Sequence, residues 1–551
     1  MFSHFLRKLG SLASAKADGT RTLQLAGRKW RLAPNATTTL GPAGPDLDRW
    51  LADGSAQIVK TGSHRTVYRV ALPDGTVYVK HCKINGIRAW AREVLRPAKA
   101  RLEFENLLAL QARDIAVVVP LAWGSSDSHW PGESFLITKS REGAIPFLAY
   151  VEQPSSPKTR SHLARALGQF FAKLHDAGVA HPDPHPGNLL VELSPAQVPI
   201  FSLIDLHAIR LSGPLSWSES RANLILFNRW FQLRASRADR LRFWHAYCRS
   251  RTSFENDRFS LQAREIERGT LASNLRFWTS RASRCLGNNR YFRKVNAGAI
   301  RGHAVRDFPE AVLSELLANP DALFTGPGIR ILKDSRTSTV AEIVLPFPDG
   351  PREVILKRVN VRHWSEPLKN LLRPSAVLRS WVNGHALHDR WLPTPRPLAV
   401  LHRVRFGLPA KGYLLTEKVE GREDLSIAKP PAAHRLARML RAMHDRNVSH
   451  RDLKASNILL EQGTEPTLID LVGVRVGNSV SFAQRAKELA RLNASFLTAT
   501  VVTRTVRLRF LRTYLAAGER LPQDWKQWWN EISLATRAKV AKNQRSGRPL
   551  A

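Results

Sequence analysis

A chain of 551 residues is too long for one hydrophobic core, and its ordinary apolar and charged fractions predict two to four folded domains. Its 84 lysines and arginines against 46 acidic residues leave a formal charge of +38, which favours polyanionic partners: nucleic acid, anionic lipid or a phosphorylated glycolipid. No zinc-finger, RNA-recognition or homeodomain pattern accompanies that charge, so no specific nucleic-acid partner is expected. Three scattered cysteines exclude a disulfide framework or cysteine metal cluster, and no run of about eighteen apolar residues is present to span a membrane.

Residues 1–12 lack the long apolar centre and cleavage site of a secretory signal. Phe2, Phe5, Leu6 and Leu9 fall on one helical face, giving a frayed terminus or a short interfacial anchor. Residues 13–45 read as a polar lead-in, so 1–45 is assigned to an N-terminal extension. A hairpin follows, turning at Pro73-Asp74-Gly75 into the return strand Thr76-Val77-Tyr78-Val79-Lys80. A strand of alternating apolar residues that ends in lysine is where kinases grip the α- and β-phosphates. Lys80 is therefore a phosphate-binding candidate, with Glu103 on the basic helix of residues 98–110 as its partner and Glu105 as the alternative.

Further on, His181-Pro182-Asp183-Pro184-His185-Pro186-Gly187-Asn188 precedes the strand Leu203-Ile204-Asp205. The order then recurs. The same interval of 277 residues separates Lys80 from Lys357, Asn106 from Asn383 and Pro120 from Pro397, a register that argues for a duplicated domain. The second loop reads His450-Arg451-Asp452-Leu453-Lys454-Ala455-Ser456-Asn457, followed by Leu468-Ile469-Asp470. The pattern H-R-D-x-x-x-x-N has a mechanical reason: one carboxylate takes the proton of an attacking hydroxyl, while the carboxamide five residues on and the next strand's aspartate hold metal. Asp183 and Asp452 are thus the candidate bases, and Asn188, Asp205, Asn457 and Asp470 the candidate metal ligands. Residues 211–300 and 476–551 show helical periodicity, the domain boundary is expected near Asn319-Pro320-Asp321, and the basic tail from Lys539 is expected to be poorly ordered.

On these residues the chain resembles the lipopolysaccharide kinase (Kdo/heptose kinase) family of protein-kinase-like enzymes, present as a tandem pair. The resemblance implies an α+β fold: two protein-kinase-like bilobal domains, 46–320 and 321–551, each with an antiparallel N-lobe sheet, a helix C and a helical C-lobe. It implies ATP and Mg²⁺ between the lobes, with Lys80 and Lys357 on phosphate. The implied acceptor is a sugar hydroxyl of lipopolysaccharide core or a related glycolipid, at the cytoplasmic face of an anionic membrane. Three departures stand out. Gly62 is the one glycine in the first phosphate-loop position and the second has none; D-F-G becomes Asp205-Leu206-His207 and Asp470-Leu471-Val472; and Ser380 occupies the place of Glu103, leaving Lys357 without its carboxylate. These departures keep open a pseudokinase-type binding or scaffold protein as an alternative. No A-P-E closes an activation segment, which disfavours the third reading, a protein Ser/Thr kinase.

Overall fold

The computed structural model describes residues 19–34, 36–62, 64–128, 130–195, 197–252, 259–326, 328–360, 374–405, 408–419, 430–460, 465–500 and 502–546. The candidate anchor at residues 1–12 lies outside them. The chain divides into two compact units, Met1–Ser273 and Asn274–Ala551.

In the first unit seven antiparallel strands form one sheet: β1 (Arg21–Leu25), β2 (Arg28–Leu32), β3 (Ala56–Thr61), β4 (Arg65–Leu72), β5 (Gly75–Cys82), β6 (Pro120–Ser126) and β7 (Ser134–Lys139). Their spatial order is β1-β2-β6-β7-β5-β4-β3. Alternation along the strands sorts the side chains between two faces. Tyr68, Val70, Val77, Val79, Phe135 and Ile137 bury against Trp30, Leu40, Leu47 and Trp50 on one side. On the other side Leu136 joins Phe104, Leu107 and Leu110 of helix Lys99–Gln111, and that cluster runs on into Leu167 and Phe171 of helix Pro157–Asp176. One helix therefore ties the sheet to the helical half. That half is built from Pro157–Asp176, Trp217–Arg234, Arg237–Ser250 and the part of helix Phe259–Arg281 up to Ser273. Ser156, Ser216 and Ser236 each accept a backbone N–H at a helix start, and Glu219 completes a capping box with Ser216.

The second unit repeats the plan. Phe292–Ala297, Ile300–Val305, Pro397–Arg405, Leu408–Glu417, Gly350–Val359, Ser338–Phe347 and Arg330–Asp334 lie side by side in that order. Helix Ala376–Asp389 packs on this sheet through Val377 and Trp381, and the helical half contains Pro430–Asp445, Phe482–Ala494, Arg504–Ala516 and Trp525–Arg545.

Four expectations need correction. Residues 1–45 are not merely an extension, because β1 pairs with β2 and β2 with β6, completing the first sheet. The helical reading of 211–300 stops short, since Phe292–Ala297 is a strand. The boundary near residue 320 is also displaced: Phe292–Ala297 and Ile300–Val305 belong to the second sheet. Asp321 itself is pinned there, with Arg358, Lys411 and Arg403 at 3.1, 3.2 and 3.5 Å. A residue held by three cations is not a linker. Finally, residues 539–545 continue a helix instead of fraying, its start fixed by an Asp524–Gln527 capping box.

The most heavily bonded charge in the first helical half is Arg251, whose side chain is fully buried. It donates to Asp176 at 2.8 Å, Tyr247 Oη at 2.7 Å, Ser220 Oγ at 2.9 Å and the Leu215 carbonyl at 2.9 Å. Arg251→Met should lower stability by about 3 kcal/mol, because it removes the buried cation of an ion pair with Asp176 and the donor to Ser220 and the Leu215 carbonyl. Thermal unfolding of the full chain, followed by circular dichroism, checks it: an early shift of one transition is expected, and an unchanged profile contradicts it.

Candidate active site

In the first unit the fold brings four separate segments to one place. Lys80, two residues before the end of β5, donates to Glu103 Oε1 at 2.5 Å, while Glu105 pairs with Arg101 at 2.8 Å. Glu103 is buried. Its carboxylate, Asp205 and His207 offer ligand atoms that all lie within 4.8 Å of one another. Asp205 is further approached by His207 Nδ1 at 3.0 Å and Arg65 Nη1 at 3.3 Å. The His207 hydrogen bond, then Lys80 and Arg65, hold this carboxyl well below the usual carboxylate range, against the opposing effect of burial. Asp205 also has a left-handed backbone, φ +62°, and Asp470 matches it at +55°. Non-glycine residues in that region are costly and concentrate at sites where a side chain must be aimed.

The loop is braced from below. His181 Nδ1 accepts the backbone N–H of Asp183 at 3.0 Å, and Asn188 Nδ2 donates to the Asp183 carbonyl at 2.9 Å. The N–H of Ile204 donates to the Asn188 carbonyl at 3.0 Å, which sets the carboxamide-bearing residue beside the strand leading to Asp205. Under the loop, His175 bonds Tyr247 Oη at 2.8 Å and Asn223 Oδ1 at 3.1 Å, and Asn223 donates to the His181 carbonyl at 2.6 Å. Asp183 itself is exposed, free for a substrate hydroxyl to approach. His185 caps the short turn by accepting Gly187 N–H at 3.0 Å.

The second unit copies the bracing and changes the charges. His450 Nδ1 accepts from Asp452 N–H at 3.2 Å, Asn457 Nδ2 donates to the Asp452 carbonyl at 2.8 Å, and Ile469 N–H donates to the Asn457 carbonyl at 2.9 Å. His444 bonds Tyr514 Oη at 2.7 Å and Glu488 at 3.1 Å, and Glu488 also takes the His450 N–H at 2.9 Å. Lys357, however, is not unpaired as expected. With buried Ser380 unable to answer it, its ammonium turns to Asp470 Oδ1 at 2.9 Å. Burial raises the Asp470 carboxyl's affinity for a proton, but Lys357 outweighs it and the net shift is downward.

The glycine-poor phosphate loops differ as well. Gly62 follows β3, where a Cβ would meet the Arg65 carbonyl only at ordinary contact distance, whereas the second turn is closed on itself, Ser338 N–H to Ser335 Oγ at 3.2 Å and Ser335 Oγ to the Ser338 carbonyl at 2.9 Å. For a divalent cation the first site offers oxygen donors of the kind Mg²⁺ takes, the Asp205 carboxylate and the Asn188 carboxamide, on adjoining segments. These donors fit the group. In each unit one oxygen of the aspartate is already engaged, Asp205 Oδ1 by His207 and Arg65 and Asp470 Oδ1 by the Lys357 ammonium.

Sequence reasoning missed Arg65, which no motif singles out, and Lys454, whose ammonium lies 3.5 Å from Asp452 Oδ2. It also left unexplained why Asn106 and Asn383 keep the repeat interval. Asn106 donates to the Leu206 carbonyl at 2.7 Å and Asn383 to the Leu471 carbonyl at 2.9 Å, so each fastens its helix to the segment carrying the metal-site aspartate.

The bracing histidine gives a pH prediction. Burial pushes the His175 imidazole down to about 4, below its ordinary 6.5, so the unfolded chain binds the proton more readily. Its contribution is complete above pH 6.5 and is lost as pH falls towards 4. Melting temperature should fall between pH 6.5 and 5, where ordinary carboxylates remain ionised, and fall less in His175→Gln; equal slopes in variant and wild type contradict this.

Among known proteins, the family model described as lipopolysaccharide kinase (Kdo/WaaP) matches residues 57–247 and 362–514. A 3-deoxy-D-manno-octulosonic acid kinase of Haemophilus influenzae is 31% identical over 146 residues, 24% of this chain and 61% of the relative. One from Xylella fastidiosa is 36% identical over 107 residues, 16% and 43% of the two chains. A solved structure of WaaP in complex with acyl carrier protein aligns at TM-score 0.31 and 20% identity, over 40% of this chain and 92% of that one. The chain thus spans 61% of the length of the first curated relatives it matches. With more than half of its residues covered in two segments, the chain belongs to the lipopolysaccharide kinase (Kdo/WaaP) family, as a tandem pair.

Proposed function

We propose that the protein is an ATP-dependent phosphotransferase that phosphorylates a sugar hydroxyl of lipopolysaccharide core or a related glycolipid, and that its first unit carries the turnover. The observation that carries this reading is the Lys80–Glu103 pair in one cluster with Asp205, above a loop that presents Asp183. Lys80 binds α- and β-phosphate oxygens and Glu103 keeps the ammonium aimed at them. Asp183 receives the hydroxyl proton as the acceptor oxygen bonds to the γ-phosphorus and the bond to the ADP oxygen breaks. Asn188 and Asp205 would hold Mg²⁺, which supplies charge neutralisation on the phosphates when bound. Arg65 stands where a guanidinium can reach a phosphate, in place of the glycine loop's backbone donors. The acceptor class rests on family membership and on the names of the curated relatives, 3-deoxy-D-manno-octulosonic acid kinases. Such an acceptor places the enzyme at the inner face of the cytoplasmic membrane, and +38 of net charge favours contact with anionic lipid. Among the described residues no helix is long and apolar enough to cross a membrane.

The second unit supports a different reading, a pseudokinase-type binding domain. Its lysine is paired to the very carboxylate a cation would need, and the residue that would release it is Ser380.

Two experiments on the full chain separate these roles, each with ATP and a glycolipid extract. Asp183→Asn should reduce phosphate transfer by about 10²–10⁴-fold, the usual worth of a general base, while Asp452→Asn changes it by less than about twofold. Undiminished turnover in folded Asp183→Asn sinks the mechanism; equal losses in both variants sink the division of labour. Ser380→Glu should draw Lys357 away from Asp470 and add a second Mg²⁺-dependent nucleotide site, visible by calorimetry; an unchanged stoichiometry counts against that assignment.

A further inference from the structure

The sheet of the first unit does not pass directly from Lys80 to the helix bearing Glu103. Between them lies a short helix, Ile87–Val94, that the proposed reaction does not use. Its apolar residues are not turned inward. Ile87 is 85% exposed, Leu95 75%, Val94 49% and Trp90 37%. Trp130, from the turn between β6 and β7, is 66% exposed and stacks obliquely on Trp90 with ring centroids 5.7 Å apart. Five large apolar side chains in one patch, two of them paired tryptophans, are more than a soluble surface ordinarily leaves to water.

Helical periodicity sets Ile87, Trp90, Ala91 and Val94 along one stripe. Residues 83–99 also contain five basic residues, Lys83, Arg88, Arg92, Arg96 and Lys99, against the single acid Glu93. A short helical segment that combines aliphatic and tryptophan residues with an excess of basic ones has the composition that lies flat in a membrane interface: apolar groups at the acyl boundary, cations among anionic headgroups. Tryptophan prefers that level because its ring is amphipathic. The charge of this segment and the excess of the whole chain have the same sign, and both complement an anionic bilayer.

We infer that helix Ile87–Val94 with Leu95 and Trp130 is the surface by which this protein docks on an anionic lipid bilayer. Its place in the fold gives the docking a consequence. The Lys83 N–H donates to the His64 carbonyl at 3.0 Å, so the helix leaves the sheet at the end that carries Arg65 and Lys80. A bilayer seated there faces the nucleotide-binding end of the first site, and an acceptor anchored in that bilayer is presented to it. The docking itself does not depend on the phosphotransfer reading and is measured without nucleotide.

The test is flotation of the full-length protein with vesicles of phosphatidylcholine alone, or of phosphatidylcholine with phosphatidylglycerol. The protein should float with the anionic vesicles. The combined variant Ile87→Ser, Leu95→Ser, Trp130→Ser, which leaves the net charge unaltered, should partition at least about tenfold more weakly with an unchanged melting profile. A control, Val344→Ser with Leu534→Ser, removes exposed apolar residues elsewhere and should float like the wild type. Flotation of the patch variant equal to that of the wild type overturns the inference. So does a concentration-dependent dimer that the same variant converts to monomer, since a second copy would then cover the patch.

Discussion

A half-buried ammonium seeks an anion, and which anion it finds distinguishes the two halves of this protein. In the first half helix Lys99–Gln111 delivers Glu103 to Lys80, in a place with little water. Separating two such groups would leave an uncompensated charge in the joint between sheet and helices, which is costly. The pair therefore fixes the helix relative to the sheet, and Asn106 passes that position on to the segment of Asp205. With its lysine engaged by Glu103, the first site keeps Asp205 clear of the ammonium, one of its oxygens meeting His207 and Arg65 instead.

The second half shows the same constraint with one group removed. Everything that braces the loop is kept: the histidine under the aspartate N–H, the asparagine on its carbonyl, the buried histidine bonded to a tyrosine. The partner of the lysine has changed, and the ammonium has moved to Asp470; under the loop Glu488 stands where the first half has Asn223. Scaffold and chemistry are thus separable in this fold. The bonds that brace the loop directly, from the histidine and the asparagine, go to its backbone and are the same in both halves, whereas the anion that meets the lysine differs with the side chain at Glu103 or Ser380.

Much of this was legible in the sequence, for reasons that can be named. The loop, the strand-end lysines and the 277-residue interval involve residue types whose spacing is set by local geometry, so they can be read along one strand or one turn. The pairing of Lys80 with Glu103 in preference to Glu105 follows from helical position, since only Glu103 is on the buried side. What could not be read were contacts between distant segments. Arg65 reaches Asp205 across 140 positions, and the partner taken by Lys357 depends on the space left by Ser380. The β1–β2 hairpin escaped notice because its interval to Phe292–Val305 differs from the later register, and a polar edge strand resembles a loop. Asp321 looked like a linker beside Pro320 because the three cations that hold it come from other strands.

The account stands or falls on a difference between two nearly identical cradles. Calorimetric titration of the full chain with a non-hydrolysable ATP analogue and Mg²⁺ tests that difference most directly. One Mg²⁺-dependent site per chain, abolished by Lys80→Met and retained in Lys357→Met, is the expected result. Two equivalent sites, or a single site that survives Lys80→Met, would contradict it.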